Sequence, residues 1–417
     1  MEEIRIMSAL PSDIIAVKSA YALIVGIGQY QDEHFPRLNF THADAQSFSD
    51  LLLNPNRAGF SKENVKLLLD EQATLSNIKK AISGWLFKYI APDSTVLVFF
   101  AGHGGVESDK TNTEPDGLAK YLLPWDADPD NLFASALSNV EFNRLLSTVK
   151  ARRLVVFLDA CYAGGVVEKG ARGARDVAVA GITKSYEQLA QGEGRIVIAA
   201  AKPNQRSWED PSINHGIFTH HLLEALKGKA DTDNDGSVSI MEVFRYLERE
   251  VPQSVRRLAN SVQEPFLCGS IAKDIVLTVD AERIAEDAQR RKEEAQRREE
   301  EIKEKRRKLF DLYDRGDLPL NVYNEALHLI SKPTTEMAEK ESELAESIEA
   351  LLKGGIPPTL YLKYRAAILG GPPKPSESKG DSIQPPTPPP EKYCIHCGVQ
   401  INPQNKFCVS CGQPIKK

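Results

Sequence analysis

The sequence predicts an α/β fold: a mostly parallel sheet with helices on both faces, followed by a charged helix, small helical repeats and a cysteine-rich terminal module. Three observations carry this. Short apolar, β-branched runs alternate with helical periodicity from about residue 20 to residue 280, the pattern of strands joined by crossover helices. After Asp280 the composition turns abruptly to Glu, Arg, Lys and Gln, as in a solvated helix. Finally, a proline-rich tract isolates two Cys-x-x-Cys pairs.

At 417 residues the chain is long enough for more than one domain. A net charge of -6 offers nothing to nucleic acid or to an anionic membrane. No run is long and apolar enough to span a bilayer, and the acidic start MEEIRIM lacks the signal-peptide pattern. The expectation is a cytoplasmic protein.

Residues 1–17 read as a lead-in and 18–280 as the main domain. Tyr21 to Ile27 is the first strand. The VGIGQYQ that closes it has Gly26 and Gly28 but no third glycine at dinucleotide spacing, so it marks a tight turn. His42 to Leu53 has helical periodicity, Val65 to Leu69 is a second strand, and Ser76 to Tyr89 is a helix capped at Ser76. In TVLVFFAGHGG (95–105) an apolar run delivers His103 into a glycine turn. RRLVVFLDACYAGG (152–165) repeats the arrangement with Asp159 and Cys161.

Reactive groups in open α/β sheets gather beyond the carboxyl ends of the strands. A histidine beside a thiol takes its proton and later protonates a leaving amine. Glycines next to His103 free their amides to point into the site, as an oxyanion needs, and the expected oxyanion donors are the amides of Gly104 and Cys161. Singly, a buried Cys is more often an inert small hydrophobe; the pairing carries the inference.

FFAGHG and LDACYAGG resemble the His and Cys blocks of the caspase and metacaspase cysteine peptidases, and the His precedes the Cys by roughly 50 residues as in caspases. YALIVGIGQYQD, LNFTHADAQSF, RIVIAAAKPNQRSWE and GIFTHHLLEAL agree in order. The resemblance covers about residues 18 to 280 and implies a caspase-type sheet. It implies His103 and Cys161 as the catalytic dyad. Where caspases have Gln-Ala-Cys, this chain has Asp159-Ala160-Cys161, as metacaspases do. Where caspases follow a Ser-Trp pair with arginine, Glu209 follows Ser207 and Trp208. Asp44 matches a second acidic position of metacaspases. An acidic pocket of Asp44, Asp159 and Glu209 selects Arg or Lys before the cleaved bond.

Residues 165–194 read as an activation loop. In caspase-like enzymes the corresponding segment separates two subunits, which makes Lys169, Arg172, Arg175 and Lys184 candidate self-cleavage sites. DTDNDGSVSIME (231–242) matches a calcium loop by position: Asp231, Asp233, Asp235, Ser237 and Ser239 as oxygen ligands, Gly236 at the turn, Glu242 as the bidentate ligand. Only one copy exists, which suits a calcium-clipped turn within the domain. Cys268 reads as a buried, inert thiol, and Ile275 to Val279 as the closing strand.

Residues 281–308 form a charged helical spacer, and 309–369 a repeat in which 313–330 aligns with 351–368. Each unit reads helix, glycine stop, proline start, helix, and offers a surface for protein partners. After the linker 370–392, residues 393–417 place Cys394, Cys397, Cys408 and Cys411 at the spacing of a structural zinc site, and resemble small zinc ribbons. Four thiolates on zinc imply a reducing compartment. The leading expectation is a cysteine endopeptidase acting on proteins or peptides after Arg or Lys. The competing one is an inactive caspase-fold adaptor or sensor that works through its helical and zinc-ribbon modules.

Overall fold

The computed structural model describes residues 19–111, 117–161, 187, 190, 194–202, 205–270 and 274–370. The lead-in, Lys169, Arg172, Arg175 and Lys184, the proline-rich linker and the four paired cysteines lie outside these residues. The chain divides into two compact units, Met1–Ala295 and Gln296–Lys417.

In the first unit the strands are β1 (Ala20–Gly26), β2 (Val65–Leu69), β3 (Thr95–Ser108), β6 (Arg153–Cys161), β7 (Arg195–Ala199) and β11 (Phe266–Ser270), ordered β2-β1-β3-β6-β7-β11 across the sheet. The first five are mutually parallel and β11 runs antiparallel to β7. Period-two alternation splits each central strand between two cores. Val96, Val98 and Phe100 enter one, with Leu154, Val156 and Leu158. Leu97, Phe99, Val155 and Phe157 enter the other. Because both faces are buried, these strands read as continuous apolar runs. Phe99 and Phe157 are fully buried, and Phe48 stacks on Phe99 at 4.8 Å. Each such ring stabilises the sheet by roughly 1.5–3 kcal/mol.

The second core is covered by α1 (Thr41–Leu53), α4 (Ile217–Glu224) and α5 (Ile240–Ala259). On the other face lie α2 (Leu75–Lys80), which opens into a π turn over Ala81–Leu86, and α3 (Asn139–Ser147). The cap of α2 is Thr74, whose side chain accepts from the Asn77 amide, rather than Ser76.

One further expectation is corrected and another is refined. No turn follows His103: β3 continues to Ser108, its far half pairing with β4 (Leu118–Leu122), which pairs in turn with β5 (Leu137–Ser138). Gly105 there serves packing, since a Cβ would come within 2.8 Å of Leu132. The closing segment of the domain, β12 (Val276–Val279), pairs with β10 (Ser237–Ser239) in a separate two-stranded ribbon. The sheet edge is instead β11, which carries the buried Cys268; burial pushes its thiol up to about 11, so it is inert near neutrality. Among the described residues no helix is long and apolar enough to cross a membrane.

Helix α6 (Ala281–Asp314) ends in the second unit, followed by α7 (Leu320–Ser331), α8 (Glu339–Leu352) and α9 (Pro358–Leu369). Leu309, Val322, Leu329, Leu344, Ile348 and Tyr361 share the core of this unit. Both glycine stops adopt left-handed backbone, Gly316 at φ 79° and Gly354 at φ 75°, and Pro319 and Pro357 stand at the starts of α7 and α9.

Candidate active site

Parallel pairing of β3 with β6 runs from Thr95↔Arg153 to His103↔Cys161. Backbone register thus makes His103 and Cys161 neighbours where the parallel pairing of the two most central strands ends.

His103 continues the series Leu97, Phe99, Ala101 along β3 and is itself buried. Its Nε2 lies 2.7 Å from the carbonyl oxygen of Pro36. A carbonyl only accepts, so Nε2 carries the ring proton and Nδ1 is left with its lone pair. Desolvation holds the imidazole below its usual range, against the opposing effects of the Pro36 bond and the Glu209 charge. A neutral ring with one free nitrogen is a base in waiting. Its backbone amide donates to the Tyr30 hydroxyl at 2.7 Å, and the two rings are tilted at 5.3 Å. Gly102 is required by that approach, because a Cβ there would lie 2.9 Å from the Tyr30 oxygen. Gly104, the next residue, begins the pairing with β4 opposite Leu122.

Two buried carboxylates lie on the face covered by α1 and α4. Asp159, on β6, accepts from Ser207 Oγ at 2.6 Å and from Thr219 Oγ1 at 2.8 Å. Burial nevertheless pushes its carboxyl up. Asp44, in the first turn of α1, is bound by His215 Nδ1 at 2.6 Å and by the Gly216 amide at 3.1 Å. Desolvation, aided by the Asp159 charge, pushes it up to about 7 despite these bonds. Gly216 is wedged between the two: a Cβ there would sit 3.0 Å from Asp44 Oδ2 and 3.2 Å from Asp159 Oδ2. The absent side chain is what lets both carboxylates approach one small space. Two acids in so dry a setting share protons unless a cation joins them.

Glu209 lies in β8 (Glu209–Asp210), paired with β9 (His215–Gly216). Its oxygens accept from the amides of Asn39 and Phe40, at 3.1 and 3.0 Å, at the N-terminus of α1. There a carboxylate meets unsatisfied amides and the positive helix end. Its charge also bears on Asp159 and His103.

Sequence reasoning missed Pro36, Tyr30, His215 and Thr219. A backbone carbonyl leaves no signal in a sequence. His215 immediately precedes the quoted GIFTHHLLEAL block and Thr219 lies within it, but nothing local says that they turn toward Asp44 and Asp159.

In the 231–242 loop, Asp231, Asp233 and Asp235 each place a carboxylate oxygen within 4.8 Å of the others. Glu242 stands outside that cluster: its carboxylate accepts from the Thr232 and Ser239 amides, and Ser239 Oγ caps α5 in return. Ser237 donates its amide to Asp235.

The model of the caspase domain family matches residues 19–276, more than half of the chain. Metacaspase-1 of Eremothecium gossypii is 27% identical over 154 residues, 35% of this chain and 32% of its own length. Metacaspase-1 of Yarrowia lipolytica is 24% identical over 247 residues, 50% of this chain and 51% of its own. The chain therefore spans a third to a half of the curated relatives it matches. A protein of Geobacter sulfurreducens of known structure superposes with a TM-score of 0.42 at 20% identity, over 60% of this chain and 94% of that one. By the family match over residues 19–276, this chain belongs to the caspase-domain family.

Proposed function

We propose that the chain is a cysteine endopeptidase that cleaves after Arg or Lys. The observation that carries this is the His103↔Cys161 register at the centre of the sheet. Cys161 is the nucleophile and His103 Nδ1 the base that takes its proton. The thiolate attacks the peptide carbonyl, the amides of Gly104 and Cys161 hold the oxyanion, and the imidazolium then protonates the leaving amine. Pro36, by fixing the Nε2 proton, orients the ring through all three steps.

The basic preference rests on Asp44 and Asp159. Burial pushes both carboxyls up, Asp44 to about 7, and an arginine or lysine entering beside Gly216 supplies the cation that favours their ionised forms. Glu209 adds field from the mouth of α1. Self-cleavage at Lys169, Arg172, Arg175 or Lys184 belongs to the same proposal, as does a structural Zn2+ on Cys394, Cys397, Cys408 and Cys411 in a reducing, cytoplasmic setting. The helical repeat and zinc module are assigned to protein partners.

The test is hydrolysis of paired peptides ending in Arg, Lys or Asp before a reporter, with and without calcium, by wild type and Cys161→Ala. Cleavage after Arg or Lys, lost in the variant, supports the nucleophile and the pocket together. Cleavage after Asp overturns the pocket. Silence from folded protein in every condition, including after limited proteolysis of the 165–194 segment, returns the chain to the adaptor reading.

A further inference from the structure

The 231–242 loop has no part in the chemistry above, yet it is built around negative charge. Three carboxylates within 4.8 Å of one another repel unless a cation lies among them. Asp231 is the buried member, its side chain 3% exposed. Its Oδ2 is held by the Gly236 amide and by Arg283. Its Oδ1 is buried with no hydrogen-bond partner among the described residues. A buried carboxylate oxygen without a partner is expensive, and an ion in the loop would satisfy it. An all-oxygen donor set selects a hard cation, and a flexible twelve-residue loop ending in glutamate suits the larger calcium over magnesium.

Calcium loops of this type usually stand in pairs that support each other. Here β12 takes the place of the partner: Val238 pairs with Thr278 in the antiparallel β10–β12 ribbon. A single loop is therefore held without a second copy. Gly236, at φ 88°, makes the turn that the loop needs.

The unusual feature is Arg283. It lies in the first turn of α6 and sends its guanidinium back to Asp231, across the backbone of Gly236. Other cations line the adjoining cleft of about 190 Å³ but are engaged elsewhere, Arg57 with Asp280 and Lys229 with Glu224. Arg283 is the one that the loop receives.

We propose that this loop binds one calcium ion in competition with Arg283, so that calcium frees the first turn of α6 from the loop. As calcium enters, Asp231 exchanges the guanidinium for the ion, and Glu242 leaves Thr232 to become the last ligand. Arg283 is thus a built-in placeholder that sets the calcium affinity. The inference is independent of the peptidase assignment, since it involves none of the same residues.

The experiment is calorimetric titration of calcium chloride into the full chain carrying Cys161→Ala, with Arg283→Gln, Glu242→Gln and the double change Asp233→Asn, Asp235→Asn. Hydrogen exchange is followed over residues 281–288. Removing the competing ion pair should tighten calcium binding about tenfold in Arg283→Gln, since a partly exposed pair is worth on the order of one such factor. Glu242→Gln should weaken it at least about tenfold, and the double variant, at two exposed positions, should abolish it while the protein stays folded. Calcium should speed exchange at 281–288 in the parent, and Arg283→Gln should exchange fast with or without the ion. No binding by folded parent protein up to about 10 mM calcium overturns the site. Equal or weaker affinity in Arg283→Gln, or calcium-insensitive exchange in the parent, overturns the competition.

Discussion

His103 and Cys161 are register partners on adjacent parallel strands, and neither depends on a loop for its backbone position. Sites carried on strands are held more tightly than sites on loops. We expect Cys161→Ala to abolish peptide hydrolysis and His103→Ala to reduce kcat/KM by about 10²–10⁴. The acid limb of the pH profile follows from burial. Since desolvation lowers the His103 pKa, the ring stays neutral to a more acid pH than free imidazole, and activity should persist below pH 6.5 rather than halve there. A limb at or above that value in kcat/KM would contradict the assignment of His103 as the base.

Asp44 makes an opposite prediction for stability. Folded, its carboxyl holds a proton up to about 7; unfolded, it releases it near 3.8. Proton-linked stabilisation is therefore complete below the unfolded value and is lost as pH rises through about 7. Asp44→Asn, which cannot ionise, should gain stability relative to wild type between about pH 5 and about pH 8, by up to a few kcal/mol. Thermal unfolding of both proteins across that range measures it. In assays the same variant should raise KM for Arg peptides, and the wild-type KM should fall as pH rises through about 7.

Glu209 and Asp159 are separable. Glu209 is occupied at the start of α1, so Glu209→Gln should lower stability by about 1 kcal/mol and leave the Arg or Lys preference within severalfold. Asp159→Asn, at the buried pocket, should cut that preference by about a hundredfold or more. Comparing kcat/KM for Arg and for neutral peptides in each variant decides this; a large loss of preference in Glu209→Gln would move Glu209 into the pocket.

Among the described residues nothing lies within 4 Å of a Cβ built at Gly316 or Gly354, yet both have left-handed backbone. Replacing either by Ala should destabilise the second unit by about 1 kcal/mol through backbone strain alone. A chemical-denaturation series would show it as a lower midpoint with an unchanged slope.

For the terminal cysteines, elemental analysis should find about one zinc per chain, lost on replacing Cys394, Cys397, Cys408 and Cys411 by Ser. A metal-free chain with reactive thiols would reject the assignment.

How far the sequence spoke differed by element. β1 and the Leu154–Leu158 run of β6 announced themselves because both faces are buried, so their residues are apolar; β2, VKLLL, is half-buried throughout and was legible from its valine and leucines. The far half of β3 did not, because GHGGVES has the composition of a turn and only pairing with β4 makes it a strand. β11 was hidden for a similar reason: FLCGS is short, and its place at the sheet edge comes from residues 67 positions or so earlier in the chain, in β7. His103, Asp159 and Cys161 were legible as ends of apolar runs. Their grouping with Asp44 was legible only through family resemblance, and His215 not at all, since contacts across 171 residues leave no local pattern.

The placing of β7 has one more consequence. It is hydrogen-bonded on both edges, parallel to β6 through five register pairs and antiparallel to β11 through five more. Both ladders are built from residues on either side of the interval between Cys161 and Arg195. A protein produced as two polypeptides, divided within that interval, should therefore reassemble by complementation and keep the sheet whole. The fragment ending after Cys161 would bring the proposed nucleophile and base and Asp159; the other would bring Ser207, His215 and Thr219, the groups that hold both acids in place. Each half would be chemically incomplete, and reconstitution would be its own assay.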